Sequence, residues 1–522
     1  MLVATTAAAL LLGIAPVDAQ SVAPAPADSP SPAPAPVAAP VSYPGQSVLA
    51  APASPAAPKQ LNLSGFFRAY DFTRQNASNL PGGAGQVNQQ SIELGLGLHA
   101  DYTFGTSPFS VGATYLYAAP TDGCGEPASH LSPPCGKLKA PALNPDDTLP
   151  GFILNTLYEA YAQFKTPHFL VKAGDQVFNT PWTTPSDTRI KPTAFEGIDA
   201  NYFSGPWSAG VSEMDRFEGR VNSTFQNNTL LTSFPAGTTG APANIYVPGG
   251  NDIPTPGLQN VRVGFAGTAF TSNLYFYQFD DIADLAWLDA KYTFKQTTKP
   301  YIALQAGYER QAGSAVLGKI FSTPVGVQVG AAMTRNISVS MSYENIPRRS
   351  DTVRLPAGDA CNANELLTVK KGTTFPFLLP LNAPECITNP NGTTTIMYGG
   401  MASPYTDGYG TDPLYLASLT QSPADRRAPV SGPKAQATWT SNDKRLIVYV
   451  TQSYLEYGNF VRSQQLSEVD LDATWYVNKL RPGPYKGLEL RYRYGSREVT
   501  AVTTFGSLPL FRYNRAQVEY DF

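Results

Sequence analysis

Histidine and cysteine are scarce in this sequence, with three and four residues among 522. The histidines are His99, His130 and His168. We predict that His99 lies on a polar strand face with Glu93 and Asp101, but no serine is placed to act with it as a nucleophile. There is also no glycine-rich phosphate loop and no calcium-loop repeat. The sequence therefore predicts that the protein is not an enzyme and has neither a cofactor nor a metal site.

Charge is also low. Charged residues make up 15% of the chain, the formal net charge is -3, and no tract of Lys or Arg occurs. A nucleic-acid partner is therefore not expected. After the first twenty residues there is no uninterrupted apolar run of about 18 residues, the length that a membrane-spanning helix needs. If such a chain enters a membrane it must form a closed β-barrel, because only helices and closed barrels satisfy their backbone polar groups in lipid.

The amino-terminal region has the features of an export signal, except that no Lys or Arg precedes Lys59. The stretch from Ala4 to Val17 is apolar and rich in Ala and Leu, and it is followed by a small-residue cleavage site before Gln20. We therefore predict a signal peptide over residues 1–19.

The next segment, residues 20–60, consists mostly of Ala, Pro, Ser and Val. Its prolines fix φ and remove backbone donors, so neither a helix nor a sheet can form there. We predict a disordered periplasmic leader. A tether toward the cell wall is the alternative.

Aromatic residues make up 11% of the whole sequence, which also has 44 Gly and 47 Pro. The last residues show how these are used, since apolar Ala516, Val518 and Tyr520 alternate with polar Gln517 and Glu519. This period of two is typical of a strand with one apolar and one polar face. A closed barrel would supply the last strand with the first strand as its partner.

Alternating segments of this kind divide residues 61–522 into eighteen predicted strands. Short connections such as 204–206 alternate with long ones such as 347–433. Short periplasmic turns and long extracellular loops are typical of an outer-membrane barrel. We therefore predict an all-β, transmembrane antiparallel barrel of about 18 strands. The predicted strands are 61–73, 90–104, 109–118, 152–164, 169–176, 194–203, 207–217, 259–270, 273–281, 284–295, 300–310, 323–333, 336–346, 434–440, 445–455, 468–478, 487–496 and 512–522.

Charged residues on the polar strand faces predict a water-filled lumen. Near the carboxyl terminus, Glu489, Arg491 and Arg493 share one face while Leu488 and Leu490 share the other. An arginine facing lipid at mid-membrane costs about 2–4 kcal/mol, so both arginines should face inward. The alternative is that these charges only brace the wall, with Arg491 bound to Asp470 or Asp472. The candidate pore-lining residues are Arg68, Lys172, Asp470, Asp472, Glu489, Arg491 and Arg493.

Three stretches resemble the OprD-type family of substrate-specific outer-membrane porins. They are Leu-Pro-Gly-Phe-Ile-Leu-Asn-Thr-Leu-Tyr-Glu-Ala-Tyr at 149–161, Lys-Ala-Gly-Asp-Gln at 172–176 and Asp-Thr-Arg-Ile-Lys-Pro at 187–192. The resemblance implies a monomeric eighteen-stranded barrel in the outer membrane of a Gram-negative bacterium. It also implies passage of small nutrients, often carboxylates or amino acids, along a ladder of basic residues. Arg491 and Arg493 are the best matches to that ladder.

The connection at 177–192 is the third long one, and in porins the third loop folds into the barrel and narrows it. Trp182 and two prolines should stiffen this loop, while Asp187, Arg189 and Lys191 would supply charge at a constriction. A solvated surface loop is the alternative.

The four cysteines lie in two other long connections, Cys124 with Cys135 and Cys361 with Cys386. In an exported protein they predict two disulfides, each within its own loop, although three pairings are possible. Metal ligation is the alternative, but neither spacing matches a zinc pattern.

Together these features predict a porin through which small polar solutes diffuse passively, surrounded by outer-membrane lipid. The rival prediction is a barrel that serves as a structural anchor or surface adhesin, with a blocked lumen.

Overall fold

The computed structural model describes residues 61–76, 89–121, 153–185, 190–220, 222–229, 255–314, 320–353, 385–406, 413–420, 423, 429–458, 463–477, 487–501 and 508–522. Strands and turns make up these ranges, and they contain no helix long and apolar enough to cross a membrane. The strands are β1 (Leu61–Gln75), β2 (Gln89–Thr103), β3 (Phe109–Pro120), β4 (Leu154–Lys165), β5 (Phe169–Gln176), β6 (Ala194–Ser204), β7 (Trp207–Glu218), β8 (Leu258–Ala266), β9 (Phe270–Phe279), β10 (Ala283–Thr293), β11 (Tyr301–Gln311), β12 (Phe321–Ser322), β13 (Val325–Ala332), β14 (Ile337–Ile346), β15 (Arg348–Val353), β16 (Glu385–Thr388), β17 (Thr394–Gly399), β18 (Val430–Thr440), β19 (Leu446–Gly458), β20 (Ser463–Tyr476), β21 (Gly487–Ala501) and β22 (Leu508–Asp521).

The long strands form one closed antiparallel sheet. β1 pairs with β2 on one edge and with β22 on the other, so that Arg68 lies opposite Glu519. β12 and β13 both pair with β11 and make a single wall strand that is interrupted at Pro324. Proline has no N–H to give to a ladder, which explains the interruption. The wall therefore has eighteen strands and is the closed barrel that the sequence predicts.

Each of the eighteen predicted strands is present, with differences at the ends. β8 stops at Ala266 and β9 starts at Phe270, because Gly267 donates its backbone N–H to the carbonyl of Phe270 and closes the turn earlier than predicted. The connection between β14 and β18 also contains a small sheet, ordered β15-β17-β16, that the sequence analysis did not predict.

The outer surface of the wall is an apolar belt. Along β13, for example, Val325, Val327 and Val329 are exposed while the residues between them face inward. Aromatic side chains meet at the short-turn end of the barrel, as expected for a girdle at a membrane interface. The pairs are Tyr102–Phe104, Phe109–Phe164, Phe169–Tyr202, Trp207–Phe265 and Tyr292–Phe294, with ring centroids 4.8–5.1 Å apart. A closed wall with an apolar belt is the form in which a β-sheet satisfies its backbone polar groups in lipid.

Several predictions from the sequence lie outside the described residues. These are the signal peptide and leader in residues 1–60, and the loop cysteines Cys124, Cys135 and Cys361. Cys386 belongs to β16, but its side chain is not among those described. The two disulfides therefore stay predictions.

The orientation of the barrel can be tested with inserted epitope tags. Asn391 lies in the exposed turn between β16 and β17, on the long-loop side, and Gly205 lies in the short turn between β6 and β7. Space is open around Gly205 and around Gly392, so both turns can accept an insertion. We expect antibody to label the tag beside Asn391 on intact cells, and the tag beside Gly205 only after the outer membrane is permeabilised. The reverse labelling pattern would mean that the long loops are periplasmic and the short turns extracellular.

Candidate functional site

The third loop, residues 177–193 between β5 and β6, folds into the barrel in its described parts. Trp182 is fully buried, and its ring meets that of Trp287 on β10 edge to face, with centroids 5.0 Å apart. The hydroxyl of Tyr277 on β9 donates to Thr180 Oγ1 at 3.0 Å. These contacts hold the loop against the β9–β10 part of the wall. Its buried course differs from that of a solvated surface loop.

Of the three charged residues predicted in this loop, the structure describes Lys191. Its side chain is fully buried, with Nζ 2.9 Å from Glu218 Oε1 and 2.8 Å from the carbonyl of Gly219. Burial lowers the pKa of this ammonium below its usual value, and the carboxylate of Glu218 acts in the opposite direction. Lys191 thus ties the end of the loop to β7. Asp187 and Arg189 lie outside the described residues, and their role at a constriction stays a prediction.

A second loop also enters the lumen. We call the connection between β14 and β18 the seventh loop, and its residues 401–406 and 413–420 are buried. The ring of Tyr405 packs on Phe195, Phe217 and Phe279, which come from β6, β7 and β9, at centroid distances of 5.5–6.0 Å. The length of this connection predicts a loop that is extracellular throughout, and the structure differs in burying these residues inside the barrel. The uncharged apolar run at 413–419 was the signal that could have revealed its course.

Residues 413–420 of this loop, which we call the strap, donate their backbone N–H groups to carboxylates of the wall. Tyr415 donates to Glu344 Oε2 on β14 at 3.0 Å, and Thr420 donates to Glu468 Oε1 on β20 at 2.9 Å. The Thr420 hydroxyl adds a second bond to Glu468 at 2.7 Å. Hydrogen bonds to charged groups are worth about 1.5–3 kcal/mol each, so the strap is held firmly.

The carbonyl groups of the strap are also bound by wall side chains. Gln305 on β11 donates to Pro413 O at 2.7 Å, and Arg497 on β21 donates to Thr420 O at 3.0 Å. Between them, Lys434 on β18 donates to the carbonyl of Ala417. The strap therefore follows the inner face of the wall from β11 to β21, and wall side chains bind both N–H and carbonyl groups of its backbone.

Beside the strap, β21 and β22 carry a column of arginines on their inner faces. Arg491 and Arg493 both bind Asp472, with Nε-to-carboxylate distances of 3.0 and 2.6 Å. Arg497 continues the row on β21, and Arg515 lies opposite Arg493 on β22. We call Arg491, Arg493, Arg497 and Arg515 the arginine column. Arg497 and Arg515 were missed by the sequence analysis, although they share the inward parity of their strands.

Asp472 is fully buried and also accepts a 2.6 Å hydrogen bond from the Tyr449 hydroxyl. The structure therefore joins Arg491 and Arg493 to one carboxylate, as in the bracing alternative, and leaves one net positive charge on the group. Asp470 accepts hydrogen bonds from Thr451 Oγ1 at 2.9 Å and from the N–H of Leu419 in the strap at 3.4 Å.

The other predicted pore-lining residues also lie on the inner face. Arg68 pairs with Glu519 at 3.0 Å and Lys172 with Glu159 at 3.3 Å. Glu489 lies in register with Glu519, toward the short-turn end of β21. These side chains retain some exposure inside the barrel, with Arg68, Glu519, Lys172 and Glu159 at 13–19%. The lumen is thus lined by charges of both signs.

No protein-family model and no curated protein matches this sequence. Solved structures of Pseudomonas aeruginosa proteins, however, share its fold. OccK8 (OprE) matches with a TM-score of 0.59 at 11% identity, and OccK9 (OpdG) with 0.57 at 13%. OpdK, solved with vanillate, matches with 0.55 at 14%. Each comparison covers 88% of this chain and 98% of the other. These neighbours are outer-membrane porins of the OprD family, and the likeness confirms the fold that the sequence resemblance implied.

Proposed function

We propose that this protein is a monomeric porin in the outer membrane of a Gram-negative bacterium, through which small polar solutes, above all carboxylates and amino acids, diffuse passively. The arginine column carries this proposal. It places four guanidinium groups on two neighbouring strands, at the point where the strap narrows the lumen.

Guanidinium groups suit this task because their planar fork of N–H donors matches a carboxylate. Arg491 and Arg493 are two residues apart on one strand face, which separates their backbones by about 7 Å. Arg491 keeps the larger exposed fraction, 15% against 5% for Arg493, so a carboxylate in the lumen meets Arg491 first. The one net positive charge that Asp472 leaves on this pair attracts an anion without holding it too tightly to move on.

A neighbour of the same fold supports an organic anion as the solute class. OpdK has been crystallised with vanillate, which is a carboxylate. No reaction chemistry is part of the proposal, and selectivity comes from pore width, the local field and hydrogen-bonding groups.

The rival function is a structural anchor or surface adhesin with a blocked lumen, and the two inward loops are the observation that favours it. Electrical recording from purified protein in a planar lipid bilayer separates the two functions. We expect stepwise conductance increases that a small aromatic carboxylate, added at millimolar concentration, interrupts briefly and reversibly. A membrane that stays electrically silent after verified insertion would favour the anchor.

A further inference from the structure

A cavity of about 830 Å³ lies on the outer side of the wall, at the long-loop ends of β10, β11 and β12. Along β11, Glu309 is fully buried and faces the lumen, so its neighbours Tyr308 and Arg310 point outward. The same alternation turns Phe321 outward beside buried Ser322. The cavity is therefore separate from the pore.

The cavity changes from apolar to polar along the axis of the barrel. At its lower edge the rings of Tyr308 and Phe321 meet edge to face, 5.6 Å apart, above the exposed side chain of Leu304. Arg310 lies two residues farther out on β11, and Arg349 of β15 lies over the Phe321 ring at 4.9 Å. Along the barrel axis the apolar surface is followed by aromatic rings and then by cations. This order matches that of a lipid, whose acyl tail is followed by an anionic headgroup.

Both arginines retain donors for a ligand. Arg310 pairs with Asp284 at 3.4 Å, but both side chains are exposed, so water screens the pair and a stronger anion can compete. Arg349 donates one N–H to Thr323 Oγ1. Its Nε is buried, so the terminal N–H groups that Thr323 does not bind are the donors that can face a ligand. Two guanidinium groups can therefore bind one phosphate together.

The size and composition of the cavity favour a phosphorylated sugar over a bare phosphate ion. Its volume lies within the range of about 300–1,000 Å³ that is typical of small-molecule sites. Asp284 and Asp351 also line it, and carboxylates accept hydrogen bonds from sugar hydroxyls. The lining thus offers donors for phosphate and acceptors for hydroxyl groups.

We infer that this cavity binds the phosphorylated sugar headgroup of a glycolipid in the outer leaflet, with its acyl chains lying along the apolar face below Tyr308. The inference depends on the long loops being extracellular, which the epitope tags test separately. It does not depend on which solute passes through the lumen.

Native mass spectrometry of the full chain with added lipid A tests this site. We expect the wild type to retain lipid A, and the double variant Arg310→Gln, Arg349→Gln to retain about tenfold less, since two charge-assisted hydrogen-bonding groups are lost. Arg348→Gln is the matched control. Arg348 precedes Arg349 on β15 but binds Glu456 at 2.8 Å instead of lining the cavity, so retention should stay at the wild-type level. Heat-modifiable migration on gels verifies that each barrel is closed.

Two further measurements keep the inference open to contradiction. The wild type and the double variant should retain dephosphorylated lipid A equally weakly. The Asp284→Asn variant should retain lipid A at least as well as the wild type does, because Arg310 is released from its partner. Equal retention by wild type and double variant would overturn the inference. If inorganic phosphate displaced lipid A at equal concentration, the site would be one for a soluble anion and the lipid assignment would be wrong.

Discussion

Replacing residues 401–420 of the seventh loop by a short Gly-Ser linker is expected to raise the single-channel conductance about two- to threefold, because a buried segment is removed from the water-filled path. The strap follows the inner face of the wall from Gln305 to Arg497, and Tyr405 fills space beside Phe195 and Phe279. Glu344 and Glu468 would then be hydrated instead of bound to backbone N–H groups, so the wall itself should remain closed. Planar-bilayer recording in concentrated salt measures the change.

The same loop provides a matched control. Its small sheet β15-β17-β16 has a turn at residues 389–393, which is partly or fully exposed. Shortening that turn to Asn-Gly alters the loop outside the lumen, so the conductance should equal that of the wild type. An unchanged conductance after replacement of residues 401–420, in a barrel shown to be closed, would mean that the third loop alone limits ion flow.

Changing both Arg491 and Arg493 to Gln is expected to abolish anion preference. In the wild type two guanidinium groups face one carboxylate, Asp472, which gives +2 − 1 = +1. In the double variant Asp472 alone of these three side chains remains charged, and their summed charge becomes −1. Since one charge in a narrow aqueous path biases ion entry strongly, we expect the anion-to-cation permeability ratio to fall about five- to tenfold. Reversal potentials in a salt gradient give this ratio.

A third substitution separates the effect of the local charge from the effect of a loosened barrel. Removing partners from a buried ion pair costs about 3–5 kcal/mol, so a loosened barrel is a possible cause of altered conductance. Adding Asp472→Asn to the double variant returns the local charge from −1 to 0 without restoring any contact. The ratio should then recover part of the way to its wild-type value. A cation-preferring wild type that neither change affects would show that these arginines only brace the wall.

The barrel could be predicted from the sequence because lipid outside and water inside impose a period of two on every wall strand. That period placed all eighteen strands from Leu61 onward. It also placed Arg491 and Arg493 inside. It could have placed Arg497 and Arg515 as well, but the predicted strand around Arg491 ended at residue 496, and the parity of the last strand was read only from Ala516.

The inward loops could not be predicted in the same way. A loop has no fixed period, and the strap is held by groups far away in sequence, such as Glu344 and Arg497. The apolar run at 413–419 indicates that this segment is buried away from water, but it does not indicate which wall residues pack against it. The sharing of Asp472 between two arginines also depends on strand register, and strand faces alone left it as one of two alternatives.

The pairing of β1 with β22 has a consequence for the order of assembly. Arg68 and Glu519 are 451 positions apart, and bringing such distant residues together costs about 5 kcal/mol of chain entropy if nothing between them is ordered. The partners of the strap lie on β11, β14, β18, β20 and β21, all synthesised before β22. The strap can therefore settle on an open, curved sheet without being threaded through a finished ring. We expect the seam between the first and last strands to be the final one to form and the first to open under denaturant.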